Sequence, residues 1–280
     1  MQDINLVAGE NAVLLLHGLA GTPLEMRYLA RRLHNDGFSV AVPHLSGYGH
    51  GGTATGWREW LDNALGTFDR MKREYRTVSV GGLCTGAVLA LSLAAERSRD
   101  ISALSLLSTT LFYDGWSIPW YRFLLPLGYY TSLRHVYSYR EREPYGLKNE
   151  SLRKRIARAV QQESVTEVGA TSLPMNHIYQ AMRLIRHVKR NLGRIDAPAL
   201  VVHAIDDDIS SVKSADFVAE HIGSREVRKI FLDDSYHIVT MDNERELVVR
   251  ETRNFIQEHI GGATGSPVRA AGRRVRAVRG

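Results

Sequence analysis

The chain has 280 residues, 44% of them hydrophobic, which is ample for a large buried core. Its formal charge of +6 is concentrated at one end: residues 262–280 carry Arg269, Arg273, Arg274, Arg276 and Arg279 and no acid, so the body is close to neutral and offers nucleic acid no electrostatic footprint. The single cysteine excludes an intrachain disulfide and suits a reducing compartment, and neither a secretory leader nor an apolar run of membrane-spanning length is present, so a cytoplasmic protein is expected.

In chain order, short apolar runs alternate with helical patterns, the signature of β-α-β units around a mainly parallel sheet. Strands are predicted at Ala12–Leu16, Phe38–Pro43, Val78–Gly81, Ile101–Leu107, Ala199–Ala204 and Val227–Leu232. They are rich in Val, Leu and Ile with little polar alternation, as expected when helices cover both faces. Thr22, Pro23 and Glu25 read as an N-cap, a first-turn proline and a capping-box partner for a helix running through Leu33 and stopping near Gly37. Further helices are predicted over Trp57 to Tyr75, from about Ala87 to Arg97, and from about Glu244 to His259.

Between about residues 109 and 195 the alternation breaks down. Trp116, Trp120, Tyr121, Phe123, Tyr129 and Tyr130 crowd together with Pro119 and Pro126, and basic amphipathic stretches follow near Glu150–Gln162 and Met175–Leu192. This reads as an insertion capping the sheet within one domain of residues 1–261. Its aromatic residues would line an apolar pocket or pack the cap onto the body, and its Arg and Lys residues read as a solvated helix face. The tail, 262–280, has no apolar periodicity and is expected to be disordered.

The chemistry is concentrated at Gly82-Leu83-Cys84-Thr85-Gly86, between a predicted strand and a predicted helix. This is the G-x-S-x-G nucleophile elbow with cysteine in the serine position; its strained turn requires small residues two positions either side. A thiol nucleophile also needs a base and a group that orients the base. Asp206-Asp207-Asp208 follows the strand 199–204, and His237 follows the strand 227–232, giving the order nucleophile, acid, base as Cys84, Asp207, His237. Donors for a developing oxyanion would be the backbone N–H groups of Thr85 and of Leu19, in the loop His17-Gly18-Leu19-Ala20-Gly21. His17 suits a loop-shaping hydrogen bond rather than a catalytic one.

The chain resembles the α/β-hydrolase superfamily, and within it the compact bacterial carboxylesterases and monoacylglycerol lipases. The matching pieces are Leu-Leu-Leu-His-Gly-Leu-Ala-Gly-Thr-Pro at 14–23, Gly47-Tyr48-Gly49-His50-Gly51, the elbow, the late aspartate, and Ser235-Tyr236-His237-Ile238-Val239-Thr240-Met241-Asp242. The resemblance implies an α/β-hydrolase fold and an acid three residues after the small residue closing its strand. Counted from Ala204 that acid is Asp207, thirty residues before His237; a slip of one residue would make it Asp206 instead. Related esterases carry serine at the elbow; cysteine there resembles dienelactone hydrolases, some thioesterase domains and polyhydroxyalkanoate synthases.

The expected function is hydrolysis of a small-molecule carboxylic ester or thioester through an acyl-Cys84 intermediate. An acyltransferase using the same intermediate, and a non-catalytic binding protein, are the alternatives. No metal-ligand spacing or phosphate-cradling loop occurs, so no metal or cofactor is expected. The sequence leaves the oligomeric state open.

Overall fold

A computed structural model describes residues 2–45, 47–48, 55–124, 128–129, 131, 134, 137–140, 143–161 and 172–260. Gly49, His50 and Gly51 of the glycine-histidine motif, Pro126, Tyr130, Gln162 and the tail 262–280 lie outside these residues.

Seven strands form one sheet: β1 (Ile4–Leu6), β2 (Asn11–Leu16), β3 (Ser39–Val42), β4 (Thr77–Leu83), β5 (Ile101–Leu107), β8 (Ala199–Ala204) and β9 (Val227–Leu232), in the order β1-β3-β2-β4-β5-β8-β9. All neighbours pair in parallel except β1, which runs antiparallel to β3 at the edge. Two short strands, β6 (Ser138–Arg140) and β7 (Ser172–Pro174), pair antiparallel between β5 and β8 in the chain.

The strand sequences explain why the sheet is buried on both faces. Along β2, Val13 and Leu15 join one apolar cluster while Ala12, Leu14 and Leu16 join the other, as the period-2 alternation of a strand requires. The first cluster contains Leu29, Ala30 and Leu33 of α1 (Arg27–Asn35) and Val248, Phe255 and Ile256 of α7 (Arg245–Ile260). The second contains Trp60, Leu61 and Phe68 of α2 (Trp57–Glu74), nearly all of α3 (Thr85–Arg97), Leu184 and Val188 of α5 (Met175–Asn191), and Val218 of α6 (Lys213–His221). Helix α3 is apolar all round because it sits against the sheet and against α2 and α5. Helix α4 (Glu150–Gln161) contributes Ile156 to a small separate cluster with Leu147 and Met241. No helix among the described residues is long and apolar enough to cross a membrane.

The predicted strands Ile101–Leu107, Ala199–Ala204 and Val227–Leu232 agree with the structure end to end. The region after Thr22 differs from expectation. Thr22 does cap, its Oγ1 accepting from Leu24 N at 3.2 Å, but Pro23–Met26 form a 3-10 turn before α1 begins at Arg27. Glu25 does not close a capping box on Thr22; its carboxylate turns into the protein and accepts from Gly18 N at 2.8 Å. The three-residue β1, the β6–β7 pair and α6 were not legible in the sequence pattern.

Phe68 is fully buried where α2 meets the second core. Phe68→Ala is expected to destabilise the fold by about 3–5 kcal/mol through lost burial and a residual cavity, read as a lower denaturant midpoint with an unchanged slope.

Candidate active site

Cys84 follows β4, the central strand, and is the N-cap of α3. Its backbone sits at φ 58°, ψ −121°, in the left-handed range that a side chain adopts only under constraint. Two flanking glycines allow this. A Cβ on Gly82 would lie 2.3 Å from Gly86 O, and one on Gly86 would lie 2.2 Å from Leu16 O and 2.4 Å from His17 O. The turn is tied back by a bond from Cys84 N to Leu107 O at 2.9 Å. The thiol itself is partly exposed at the floor of a cavity, with Thr110 Oγ1 donating to Sγ at 3.4 Å and Thr85 Oγ1 in a hydrogen-bonding contact with Sγ at 3.8 Å.

His237, on the loop after β9, and Asp207, after β8, meet this turn from neighbouring strand ends. His237 Nδ1 lies 2.7 and 2.9 Å from the two oxygens of Asp207. Asp206, by contrast, is exposed, its carboxylate 3.4 Å from Lys148 Nζ. Asp207 Oδ1 also accepts from Ile209 N and Ser210 N at 2.8 Å each, and His203 Nε2 approaches Oδ2 at 3.4 Å. Burial raises the Asp207 carboxyl, but the His237 and His203 imidazoles and the Ser210 N–H outweigh it and hold Asp207 below its ordinary value. His203 is fully buried and pulled down chiefly by that burial, against Asp207, and its Nε2 donates to Ser210 O at 2.7 Å.

Cys84 and His237 bias each other's charge. Burial pushes the thiol up, yet the imidazole beside it, with Thr110 and Thr85, brings it below the ordinary thiol value. Burial likewise pushes the imidazole down, and Asp207 and the thiolate raise it well above the ordinary histidine value. Each group thus favours the charged form of the other. His237 Nε2 is buried and makes no contact of full hydrogen-bond geometry, so it is not committed to another partner. Such contacts commonly close only once substrate is bound.

The loop after β2 has a distinctive pattern of donors. Gly18 N is taken by Glu25 Oε2, Ala20 N by Tyr48 O at 3.1 Å and Gly21 N by Gly18 O at 3.1 Å. Leu19 N between them, and Thr85 N at the start of α3, have no acceptor among the described residues. Both residues line the cavity with Cys84. His17 is buried and its imidazole is lowered to about 4, chiefly by that burial; the neutral ring lies with Nδ1 2.9 Å from Gly18 O. It shapes the loop as expected.

Several residues here were missed by sequence reasoning. Asp208 Oδ1 accepts from His237 N and Oδ2 from Gly146 N, at 3.3 Å each, and its carbonyl accepts from Ser117 N and Oγ. Burial raises its carboxyl, with Asp207 adding to the effect against His237. Buried Asp242 accepts from Tyr236 N, Lys148 N and Asn149 N at 2.7–2.8 Å, clamping the histidine loop to residues 148–149. Asp208 had a signal in its place in the aspartate run; Thr110 and Glu25 had none that distinguished them.

The cavity has a volume of about 810 Å³. Trp116, Tyr121, Phe123 and Tyr129 line it, whereas Trp120 is 81% exposed. Lys189 of α5 and Lys213 of α6 also line it, so Lys189 departs from the solvated face expected of its helix.

Residues 9–244 match the family described as serine aminopeptidase, S33. The chain is 27% identical over 256 residues to a thermostable monoacylglycerol lipase of Bacillus sp. (strain H-257), covering 90% of this chain and 93% of that protein. It is 26% identical over 259 residues to a carboxylesterase of Bacillus subtilis (strain 168), covering 89% and 94%. Among solved structures, one from a study of two metagenome-derived lipolytic enzymes superposes with a TM-score of 0.78 at 22% identity, over 92% of this chain and 98% of that one. The architecture is the α/β-hydrolase fold.

Because the thiol is lowered by His237 against its burial, the thiolate persists to lower pH than in a free cysteine. The iodoacetamide rate at Cys84 is therefore expected to rise with pH through a midpoint below that of a free cysteine. In His237→Ala only burial and weaker donors remain, and the midpoint should move upward. The check is the alkylation rate against pH for both proteins, by mass spectrometry.

Proposed function

This chain belongs to the serine aminopeptidase S33 family, and we propose that it hydrolyses carboxylic esters or thioesters through Cys84, with His237 as base and then acid and Asp207 orienting it. It is an α/β-hydrolase, and the relatives' names place their own activities among monoacylglycerol lipases and carboxylesterases. The family description names serine; this chain carries cysteine at the elbow.

The observation carrying the proposal is that Cys84 on its strained turn lines one cavity with His237, whose Nδ1 lies 2.7 Å from Asp207 and whose Nε2 has no other partner; Cys84 and His237 also favour each other's charged form. In the reaction the Cys84 thiolate adds to the substrate carbonyl carbon, and the oxygen becomes an oxyanion facing the N–H groups of Leu19 and Thr85. Each such donor is worth about 3 kcal/mol in a dry site. The tetrahedral species collapses as His237 gives its Nε2 proton to the departing alcohol or thiol, leaving acyl-Cys84. Water then attacks, losing a proton to His237, and releases the acid and the thiol. Asp207 keeps the Nδ1–H tautomer throughout and stays ionised.

Cys84→Ala and His237→Ala are each expected to lower turnover of 4-nitrophenyl butyrate by at least about a thousandfold without loss of folding. Rapid quenching of the native chain should show one acyl group on the peptide containing Cys84. Wild-type rates in both variants, or acylation elsewhere, would overturn the assignment.

A further inference from the structure

The cavity holding Cys84 has a charged wall of its own. Lys189 and Lys213 both line it, and their Nζ atoms lie 3.5 and 4.8 Å from the ring centroid of Phe112, a third lining residue. Both distances are within cation–π range. Lys189 also lies 5.3 Å from the ring of Phe217.

Neither lysine has a carboxylate within ion-pair distance among the described residues. The acid on this wall, Asp114, accepts from Ser211 N at 2.9 Å and tempers the charge on Lys189 without reaching it. Burial, and then Lys213, pulls Lys189 below the ordinary lysine value. Two ammonium groups held over one ring, one of them half-buried, are an arrangement that a bound anion would relieve. Set against Asp114, the two lysines leave one net positive charge, which suits a carboxylate better than a dianionic phosphate. Arg122, Glu143 and Asp208 also line the cavity, but Asp114 and Lys213 are the charged groups that bear on Lys189, and its near neighbours are the rings of Phe112 and Phe217.

We propose that this wall is a carboxylate-binding subsite, so that the preferred acyl group carries a free carboxylate at its far end, as in a half-ester of a short dicarboxylic acid. An acyl group stays tethered in the cavity through both half-reactions, so a fixed cationic wall serves it throughout. The inference rests on the hydrolase reading given above.

The test compares mono-4-nitrophenyl glutarate with 4-nitrophenyl pentanoate, equal in chain length and differing in the terminal charge, on the full chain. The charged ester is expected to be favoured in kcat/KM by roughly tenfold or more, mainly through KM, with the preference narrowing as salt rises. In Lys189→Gln/Lys213→Gln that ratio should fall by about the same factor. Lys213→Gln alone, at an exposed position, should give part of the effect and guards against misfolding of the double variant. A wild-type preference for the neutral ester, or a ratio indifferent to both lysines, overturns the subsite. If neither ester is turned over, the hydrolase reading has failed, and calorimetry with glutarate and with inorganic phosphate decides the subsite separately. Glutarate binding that weakens in the double variant supports it; no glutarate binding, or tighter phosphate binding, overturns it.

Discussion

The backbone at Cys84 can turn from β4 into α3 at positive φ only because residues 82 and 86 have no side chain. Gly86 is packed so closely on the carbonyls of Leu16 and His17 that a methyl group there would overlap them. The strain of such a position, of the order of 1–3 kcal/mol, persists only where the surroundings over-determine it. Here the bond from Cys84 N to Leu107 O and a helix buried on nearly every side do so. The same contact brings the loop after β2 against the start of α3. Position 84 and the free N–H groups of Leu19 and Thr85 are therefore consequences of one packing event.

A second set of contacts fixes the imidazole. The loop carrying His237 is held by Asp208 at its backbone N–H, by Asp242 across residues 148–149, and by Thr240 Oγ1 donating to Glu25 O at 2.8 Å. Glu25 in turn engages Gly18 N, so the histidine loop and the loop of Leu19 are joined through one residue. Buried carboxylates are tolerated because N–H donors or imidazoles face their oxygens. Asp207 and Asp208 are adjacent in sequence yet shifted in opposite directions. Asp207 faces two imidazoles, whereas Asp208 is buried against weaker backbone donors.

The segment between β5 and β8 supplies most of the cavity wall, and with it the chemistry of what can enter. Its aromatic residues divide by position: Tyr121 and Phe123 line the cavity while remaining partly open to solvent, and Trp120, just before them, is the most exposed and does not line it. Lys189 shows the same principle on a helix. The amphipathic pattern of α5 places apolar Leu184 and Val188 in the core, and the next residue reaches the cavity margin, where its stem can pack while its ammonium meets Phe112.

Local pattern determined much of this protein. Buried parallel strands read as apolar runs whatever surrounds them, so β5 and β8 were bounded to the residue, as was the half-buried edge strand β9 despite its Arg228 and Lys229. The glycine spacing of the elbow and the order of Cys84, Asp207 and His237 were likewise legible, because covalent geometry restricts what can occupy such a turn. Three-residue strands such as β1 and β7 carry too few side chains to show a period. The partner of a side chain was decided only by tertiary structure. Glu25 has the spacing of a capping box, but the 3-10 turn after Thr22 directs its carboxylate to Gly18. Thr110 reaches Cys84 and Lys189 reaches Phe112 only because the sheet order and the packing of α5 bring distant segments together. Sequence encodes the propensity of each segment, while a hydrogen bond or a buried charge depends on distances that exist only once the layers have closed.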